Sequence, residues 1–387
     1  MGGDGFCGWP TALHLSRAGH SVTIIDNLSR RGIDASLGTR SLTAITPLDE
    51  RVSVWQDLTG HRIGVHLLDL ARDFDKLCAV LDEIRPDAIV HFGEQRSAPY
   101  SMMSAAARCY TVTNNISATH NVLAAMVHLG LDAHLVHLGS IGVYGYSSAG
   151  MQLPEGYVRA TLHDGLGHDA DREILYPGRP DSVYHMSKAQ DQLLFAFYAQ
   201  QESIRITDLH QGIVWGTQTP DTALDPRLVN RFDYDTIYGT VVNRFLVQAS
   251  VGHPLTVYGT GEQTRAYIHL CDTVRCIETA IQTPPPRGAR VRIINQIAET
   301  KSVADLAGQV AGLTGGRVVF LDNPRKEPVR NEFEVDHSTL GRLGVETATF
   351  DTKLAGEYEL IQACDKDRLI TCHLSPERSS TERSVVA

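Results

Sequence analysis

Short apolar runs alternate with amphipathic stretches along the first half of the chain. Four of the runs are rich in Val, Ile and Leu and predict buried strands, at 22–25, 66–70, 86–92 and 134–138. Between them apolar residues recur with helical spacing, most clearly over 73–84. This alternation predicts an α/β fold with a doubly wound parallel sheet.

A glycine-rich segment opens the chain. Gly2, Gly5 and Gly8 recur at every third position and lead into an amphipathic helix. Glycines at such positions permit a tight turn and let backbone amides approach a pyrophosphate at the positive end of the helix. The segment therefore predicts a Rossmann-type dinucleotide-binding turn, with Phe6 and Cys7 as further cofactor contacts.

The strand at 22–25 ends in Asp26 and Asn27, about 20 residues beyond the glycine turn. A carboxylate at this place suits the ribose 2′-hydroxyl of NAD and repels the additional phosphate of NADP. Arg30 and Arg31 weaken that preference because they could hold a phosphate. We predict NAD as the cofactor, with Asp26 and Asn27 at its ribose.

A dinucleotide-binding turn should follow a buried strand, but this sequence starts at the turn itself. We therefore expect the first strand of the sheet to be truncated. Either residues upstream of Met1 supply that strand, or the cofactor site is impaired.

Further cofactor contacts are predicted at the carboxyl ends of the strands, where ligands bind in open parallel sheets. Asp69 and Leu70 end the second predicted strand, Arg96 follows the third, and Asn114 lies in the next helix.

The candidate chemistry lies in the segment 182–188, which opens a helix. Tyr184 and Lys188 are four residues apart, so they share one helix face. A nearby ammonium lowers the pKa of a phenol from about 10, and Tyr184 is predicted to take a hydroxyl proton as a hydride leaves. Ser140, directly beyond the strand at 134–138, is predicted to hydrogen-bond the same substrate oxygen.

Composition limits the possible partners of this 387-residue chain. A net charge of −10 argues against a protein that coats nucleic acid, and no apolar run approaches the length of a membrane span. The seven cysteines are scattered without a Cys-x-x-Cys pair, which fits a reducing compartment, and we predict a cytoplasmic protein. Three histidine pairs lack convergent partners, so no metal site is predicted: His61 and His66, His134 and His137, and His163 and His168.

The second half of the chain is less regular. We predict an NAD-binding domain over 1–212, a smaller α+β part that binds the substrate over 213–363, and a polar, disordered tail over 364–387. Residues 146–180 are rich in Gly, Pro, Asp and His and predict a long loop or lid.

Several segments resemble the extended short-chain dehydrogenase/reductase superfamily that modifies nucleotide sugars, and within it the UDP-sulfoquinovose synthase family. The likeness covers roughly 2–360 and is carried by residues 26–28, 92–102, 251–259 and 323–325. Of these, the segment that begins at Gly93 is the most specific for substrate.

The resemblance implies that the substrates are UDP-glucose and sulfite, or a sulfite donor, and that NAD is tightly held. The reaction would oxidise C4, eliminate water across C5–C6, add sulfite at C6 and reduce C4 again to give UDP-sulfoquinovose. Tyr184 would remove the 4-hydroxyl proton, Arg96 would attract the sulfite anion, and His185 would carry a proton near C6. A homodimer is also predicted.

Family positions that hold the nucleotide sugar match a further set of residues, besides Arg96 and Ser140: Gln211, Thr240, Arg244, Val257, Tyr258, Arg265 and Arg325. Two departures matter. Sugar 4,6-dehydratases carry an Asp-Glu pair where this chain has Ile141 and Gly142, which argues against that activity. Plant-type members of the resembled family have a Glu where this chain has Val143, so another group must assist at C5–C6.

Two alternative functions stay open. A UDP-sugar 4-epimerase needs only NAD, sugar rotation and the Tyr184, Lys188 and Ser140 set, although the segment 93–102 favours the synthase. A catalytically silent dinucleotide-binding regulator is supported by the truncated first strand and opposed by the Tyr184–Lys188 pair.

Overall fold

A computed structural model of the protein describes residues 1–146, 152–163, 165, 167, 169–176, 178–323, 331 and 333–374. Two sequence predictions, the sugar contact of Arg325 and the terminal part of the tail at 375–387, lie outside the described residues.

The described helices and strands alternate over the first half of the chain. The α-helices are α1 (Gly8–Arg17), α2 (Ser29–Leu37), α3 (Leu48–Thr59), α4 (Phe74–Ile84), α5 (Ala98–Met103), α6 (Ala105–His128), α7 (Val183–Gln201), α8 (Val241–Ser250), α9 (Leu270–Gln282), α10 (Val303–Thr314), α11 (Ser338–Arg342) and α12 (Phe350–Ala363). The strands are β1 (Val22–Asp26), β2 (Ile63–Leu67), β3 (Ala88–His91), β4 (His134–Ser140), β5 (Tyr157–His163), β6 (Asp169–Leu175), β7 (Arg205–Gln211), β8 (Ile213–Trp215), β9 (Leu255–Tyr258), β10 (Thr264–His269), β11 (Arg292–Gln296), β12 (Glu299–Ser302) and β13 (Val318–Leu321).

A parallel sheet positions the site. Strands pair in the order β11-β7-β4-β3, and β1 pairs with β2 beside them. Met1 and Gly2 occupy the strand position between β3 and β1. The Met1 amino group donates to the Val90 carbonyl at 2.8 Å, Phe92 N–H donates to the Met1 carbonyl at 2.9 Å, and Gly2 N–H donates to Ile25 at 2.7 Å. These bonds set the glycine turn at the carboxyl edge of the sheet.

Both faces of this sheet are covered. Leu135 of β4 and Ile206 of β7 pack towards α4, α6 and α7, whereas Val136 and Leu209 pack towards α9. Neighbouring residues of a strand point to opposite faces, so both faces of these two strands are covered by helices. The predicted α/β fold with a doubly wound parallel sheet is confirmed.

The smaller part of the molecule contains the sheet β12-β10-β8 and the pair β9-β13. Its core stacks Trp215 on Phe350, with ring centroids 4.4 Å apart. The predicted boundary at 212 is too simple, because β11 pairs with β7 and returns the chain to the parallel sheet. No helix among the described residues is long and apolar enough to cross a membrane.

Three further predictions need correction. The strand predicted at 66–70 is β2, which begins and ends three residues earlier. The loop predicted at 146–180 contains the antiparallel hairpin β5–β6, whose mostly exposed residues lack an apolar run that would reveal strands. The tail predicted from residue 364 is packed as far as Leu374, which is buried, and Arg368 donates to the Leu42 carbonyl at 2.9 Å.

Candidate active site

A cleft with about 1100 Å³ of empty space, part of it open to solvent, lies at the carboxyl edge of the parallel sheet. It brings together most of the predicted cofactor residues and two predicted substrate residues, Gln211 and Arg96, the second of which belongs to both sets. The residues are Gly2, Gly5, Phe6, Cys7, Gly8, Asp26, Asn27, Leu70, Arg96, Asn114, Tyr184, Lys188 and Gln211. Asp69 lies outside the lining of this cleft, and its carboxylate accepts from Asn27 Nδ2 at 3.2 Å and from Ala71 N–H at 2.9 Å. It stabilises the turn after β2.

The glycine turn fits a dinucleotide for a geometric reason. A Cβ on Gly2 would lie 2.7 Å from the Phe92 carbonyl carbon, and one on Gly8 would lie 2.1 Å from the Gly2 oxygen. These two glycines therefore allow the turn to pack against β3. A Cβ on Gly5 would have only the Gly2 oxygen nearby, at 3.3 Å, so Gly5 leaves its share of the cleft clear for a pyrophosphate.

Asp26 binds the turn as well as facing the cleft. Its carboxylate accepts from Asp4 N–H at 2.9 Å and from Leu28 N–H at 2.7 Å. Burial raises the pKa of Asp26, and these two hydrogen bonds oppose that rise. The side chain is thus held in place to accept hydroxyl groups of a ribose.

The two arginines that weakened the preference for NAD are both engaged within the protein. Arg31 Nε and Nη2 each lie 2.7 Å from an oxygen of Asp4, and Arg30 pairs with Asp34 at 2.5 Å and with Asp233 at 3.2 Å. With their charges compensated, neither is left to favour the phosphate of NADP, and the residues present fit NAD.

We predict that Asp26→Asn weakens NAD binding about tenfold or more, because a charged hydrogen bond to the ribose is worth about 1.5–3 kcal/mol. Isothermal titration of the purified protein with NAD measures the effect. Asp57→Asn, an exposed change in α3, is the control and should leave the affinity unchanged. Unchanged affinity in Asp26→Asn would remove Asp26 from the ribose site.

The start of α7 positions the predicted proton carrier. Ser182 caps this helix by accepting from His185 N–H at 3.1 Å, and Tyr184 follows in the first turn. Burial raises the pKa of Tyr184, while the Lys188 charge and a hydrogen bond with Ser140 oppose the rise. The prediction that Tyr184 has a pKa below 10 is therefore wrong, because burial raises the pKa by more than the Lys188 ammonium lowers it.

Glu94 is a site residue that the sequence analysis did not single out. Its Oε2 lies 2.9 Å from Lys188 Nζ, and both side chains are almost completely buried. Lys188 also donates to the Leu138 carbonyl at 2.7 Å and lies 3.0 Å from His137 Nε2. The only sequence signal was a carboxylate in the polar segment directly after β3.

His137 has the convergent partners that the sequence analysis did not find. Its Nδ1 lies 2.8 Å from Asp208 Oδ1 and its Nε2 lies 2.9 Å from Glu94 Oε1. Burial and the Lys188 charge act to lower the pKa of His137, but the two carboxylates raise it to about 9. The partners come from segments far apart in sequence, so spacing alone did not reveal them.

Glu94, His137 and Asp191 present ligand atoms within 4.8 Å of one another, a grouping that metals use. The Lys188 ammonium lies beside Glu94 and His137 and already supplies a positive charge there. The absence of a metal remains a prediction.

His185 lies beside Tyr184, with their ring centroids 5.0 Å apart. Its Nδ1 bonds the Ser182 hydroxyl at 3.1 Å, and burial together with the Arg265 charge lowers its pKa to about 4. The ring lies directly against Gly142, since a Cβ there would be 2.3 Å from His185 Cδ2 and Nε2. Gly142 therefore makes room for His185 where dehydratases carry an acid.

We predict that Gly142→Ala destabilises the protein by about 1–3 kcal/mol and lowers turnover, because the added methyl group displaces the imidazole. Thermal unfolding and a turnover assay measure the two effects. Gly142→Ala/His185→Ala removes the clash, so its unfolding temperature should match that of His185→Ala alone. Equal loss in both backgrounds would show that the methyl group clashes elsewhere.

Arg96 lies in the cleft, as predicted, and its position is fixed by a carboxylate. Its Nη2 is 2.5 Å from Asp233 Oδ2, and its guanidinium lies 5.5 Å from the ring centre of Tyr238 and 5.8 Å from that of Phe6. Its side chain keeps 37% of its surface exposed. A partly exposed guanidinium with a fixed orientation suits an anion.

The other predicted sugar contacts lie mainly in the smaller part. Thr240 caps α8, the Arg244 guanidinium lies 5.1 Å from the Tyr258 ring centre, and Arg265 lies 4.4 Å from that of Tyr146, the ring beside His185. Arg265 is thus brought to His185.

Two apolar residues named in the sequence analysis are buried. Val257 is fully buried in the core of the smaller part, so its side chain is not a sugar contact. Val143 is likewise buried, in a cluster with Ile141 and Tyr144, so it contributes packing where plant-type proteins carry a Glu.

A known protein family matches most of the chain. The NAD dependent epimerase/dehydratase family matches residues 1–295. The chain belongs to this family. The predicted superfamily and the predicted NAD cofactor are thereby confirmed.

Named members of the family are similar over most of the chain. The chain is 42% identical to the chloroplastic UDP-sulfoquinovose synthase of Spinacia oleracea, over 98% of this chain and 78% of the spinach protein. It is 36% identical to the UDP-sulfoquinovose synthase of Sulfolobus acidocaldarius, over 89% of this chain and 86% of that protein. In fold it is similar to the UDP-glucose 4-epimerase of Thermotoga maritima, with a TM-score of 0.68 and 20% identity over 92% of this chain and 96% of that one.

Proposed function

We propose that the protein forms UDP-sulfoquinovose from UDP-glucose and sulfite. The observation that carries the proposal is the packing of the His185 ring on Gly142, beside Tyr184. Where a sugar dehydratase has an acidic side chain, this site has the His185 imidazole. The imidazole equips the site for different chemistry at C5–C6. The names of the spinach and Sulfolobus relatives support the same reaction.

Tyr184 handles the proton of the sugar 4-hydroxyl. Bound NAD, held by the glycine turn and Asp26, supplies the chemistry of accepting a hydride at C4 and returning it. Tyr184 accepts the O4 proton and later donates it back, while Ser140 orients the oxygen. The Lys188 ammonium stabilises the phenolate form of Tyr184.

His185 is proposed to act at C5–C6. Its pKa of about 4 keeps the imidazole neutral near pH 7, so it begins as a proton acceptor. The imidazole itself is buried. Arg96 is proposed to bind the sulfite anion before it adds to C6.

A homodimer is proposed from the outer face of α7. Leu193 and Phe197 are four residues apart on this helix and keep 65% and 55% of their surfaces exposed. Adjacent apolar side chains of this size are typical of an interface. Light scattering on the protein and on Leu193→Glu/Phe197→Glu tests it.

We also propose a cytoplasmic location.

The test of the reaction is incubation of the purified protein with UDP-glucose and sulfite, followed by mass spectrometry of the nucleotide sugars. We expect UDP-sulfoquinovose, and no sulfonated product when sulfite is omitted. UDP-galactose without a sulfonated sugar would instead identify a 4-epimerase. A protein that leaves UDP-glucose unchanged would instead be the silent regulator.

A further inference from the structure

A carboxylate is buried against the catalytic lysine. Glu94 Oε2 lies 2.9 Å from Lys188 Nζ, and the two side chains are 3% and 4% exposed. An ion pair so well shielded from water has a far stronger field than one at the surface. The ammonium beside Tyr184 therefore does not act as an isolated charge.

The carboxylate is itself held from two sides. Its Oε1 lies 2.9 Å from His137 Nε2 and 3.3 Å from the Thr119 hydroxyl. His137 is in turn bonded to Asp208 at 2.8 Å. These contacts fix the carboxylate and keep it from turning away from Lys188.

Ionisable groups face this pair from every element packed on it: His91 of β3, His137 of β4, Tyr184 and Asp191 of α7, and Asp208 of β7. Burial lowers the pKa of His91 to about 3, so it is neutral. Burial and the Glu94 charge raise the pKa of Asp191 well above its usual range. Lys188 and Glu94 lie nearest to Tyr184 in this group, with His137 and Asp208 behind them.

We propose that Glu94 is a positioning residue for proton transfer, whose carboxylate holds the Lys188 ammonium and offsets its charge at the Tyr184 phenol. The inference rests on the proposed function. A synthase that oxidises C4 and then reduces it needs one phenol to take a proton and to give the same proton back. An uncompensated ammonium would favour phenolate and hinder the return step, whereas the Glu94 carboxylate keeps both directions accessible.

Glu94→Gln keeps the shape of the side chain and removes its charge. We expect Tyr184 to ionise at lower pH in this variant, because the opposing charge is gone while the ammonium stays. Ultraviolet titration of tyrosinate isolates this phenol when each protein is compared with its Tyr184→Phe counterpart. In turnover, the acidic limb of the kcat profile should move to lower pH, with the KM for UDP-glucose unchanged.

Glu202→Gln is the control on the same helix, since it removes an exposed carboxylate at the far end of α7 from Tyr184. It should leave the titration of Tyr184 and the kcat profile as they are. Glu94→Asp keeps the charge, so Tyr184 should titrate as in the unaltered protein. An unchanged titration in folded Glu94→Gln, or an equal shift in Glu202→Gln, overturns the proposal.

Should Glu94→Gln fail to fold, Glu94→Gln/Lys188→Met removes both charges together. Tyr184 should then titrate close to the unaltered protein, while Lys188→Met alone shifts the titration to higher pH. Identical titrations of the single and double variants would overturn the proposal. The titration needs neither sugar nor sulfite, so it tests the role of Glu94 separately from the proposed reaction. The proposed reaction is contradicted only if no sulfonated sugar forms.

Discussion

Tyr184→Phe should lower kcat by roughly a hundred- to ten-thousandfold, the range that a positioned acid–base group contributes. The phenol is the group that meets both Ser140 and the Lys188 charge, and phenylalanine keeps the ring while losing the proton carrier. Single-turnover assays with UDP-glucose and sulfite measure the loss. NAD should still bind, because the glycine turn and Asp26 are untouched.

Tyr198→Phe is a suitable control on the same helix. Its hydroxyl bonds His120 at 3.2 Å on the exposed side of α7, far along the helix from the cleft. Turnover should stay as in the unaltered protein. Substantial activity in Tyr184→Phe would mean that another group handles the O4 proton.

Lys188→Met should be both inactive near neutral pH and less stable. Loss of the ammonium raises the pKa of Tyr184 further, so the acidic limb of activity moves to higher pH. It also leaves the Glu94 carboxylate buried without its cation, which costs about 3–5 kcal/mol of unfolding free energy. Chemical denaturation and a pH–rate profile measure the two effects.

The sign of the stability effect follows from the two partners. Lys188 has a raised pKa, so its contribution to the free energy of unfolding is present at neutral pH. That contribution is lost as pH rises through the pKa of Lys188 in the folded protein. Glu94 has a lowered pKa, so its contribution is lost only as pH falls through that value. Glu94→Gln should therefore restore stability to Lys188→Met, because the double variant buries no unpaired charge of this pair.

Lys76→Met provides the control for that experiment, since Lys76 pairs with Asp73 while its side chain is 71% exposed. Exposed ion pairs contribute about 0–1 kcal/mol, so little change is expected. Equal destabilisation by Lys76→Met and Lys188→Met would contradict the buried pair as the cause.

The fold was largely predictable where buried strands leave runs of apolar residues. β3 and β4 do so, and both were found in the sequence as the runs at 86–92 and 134–138. β2 was displaced by three residues because it is only partly buried, and its last residue, Leu67, is 64% exposed. The more apolar residues that follow it gave the stronger pattern.

The site was predictable only where its residues are neighbours in sequence. Tyr184 and Lys188 share one helix turn, and the glycines share one loop, so spacing revealed them. Glu94, His137 and Asp208 belong to three segments that meet only in the folded sheet. The direction of the Tyr184 pKa was missed for the same reason, since burial and the Glu94 charge are properties of the packed interior.

The contact between Gly142 and His185 ties these two positions together. A side chain at position 142 and an imidazole at position 185 compete for one volume, because a Cβ built on Gly142 would lie 2.3 Å from His185 Cδ2 and Nε2. With this backbone, an acidic side chain at 142 and the observed placement of the imidazole therefore exclude each other.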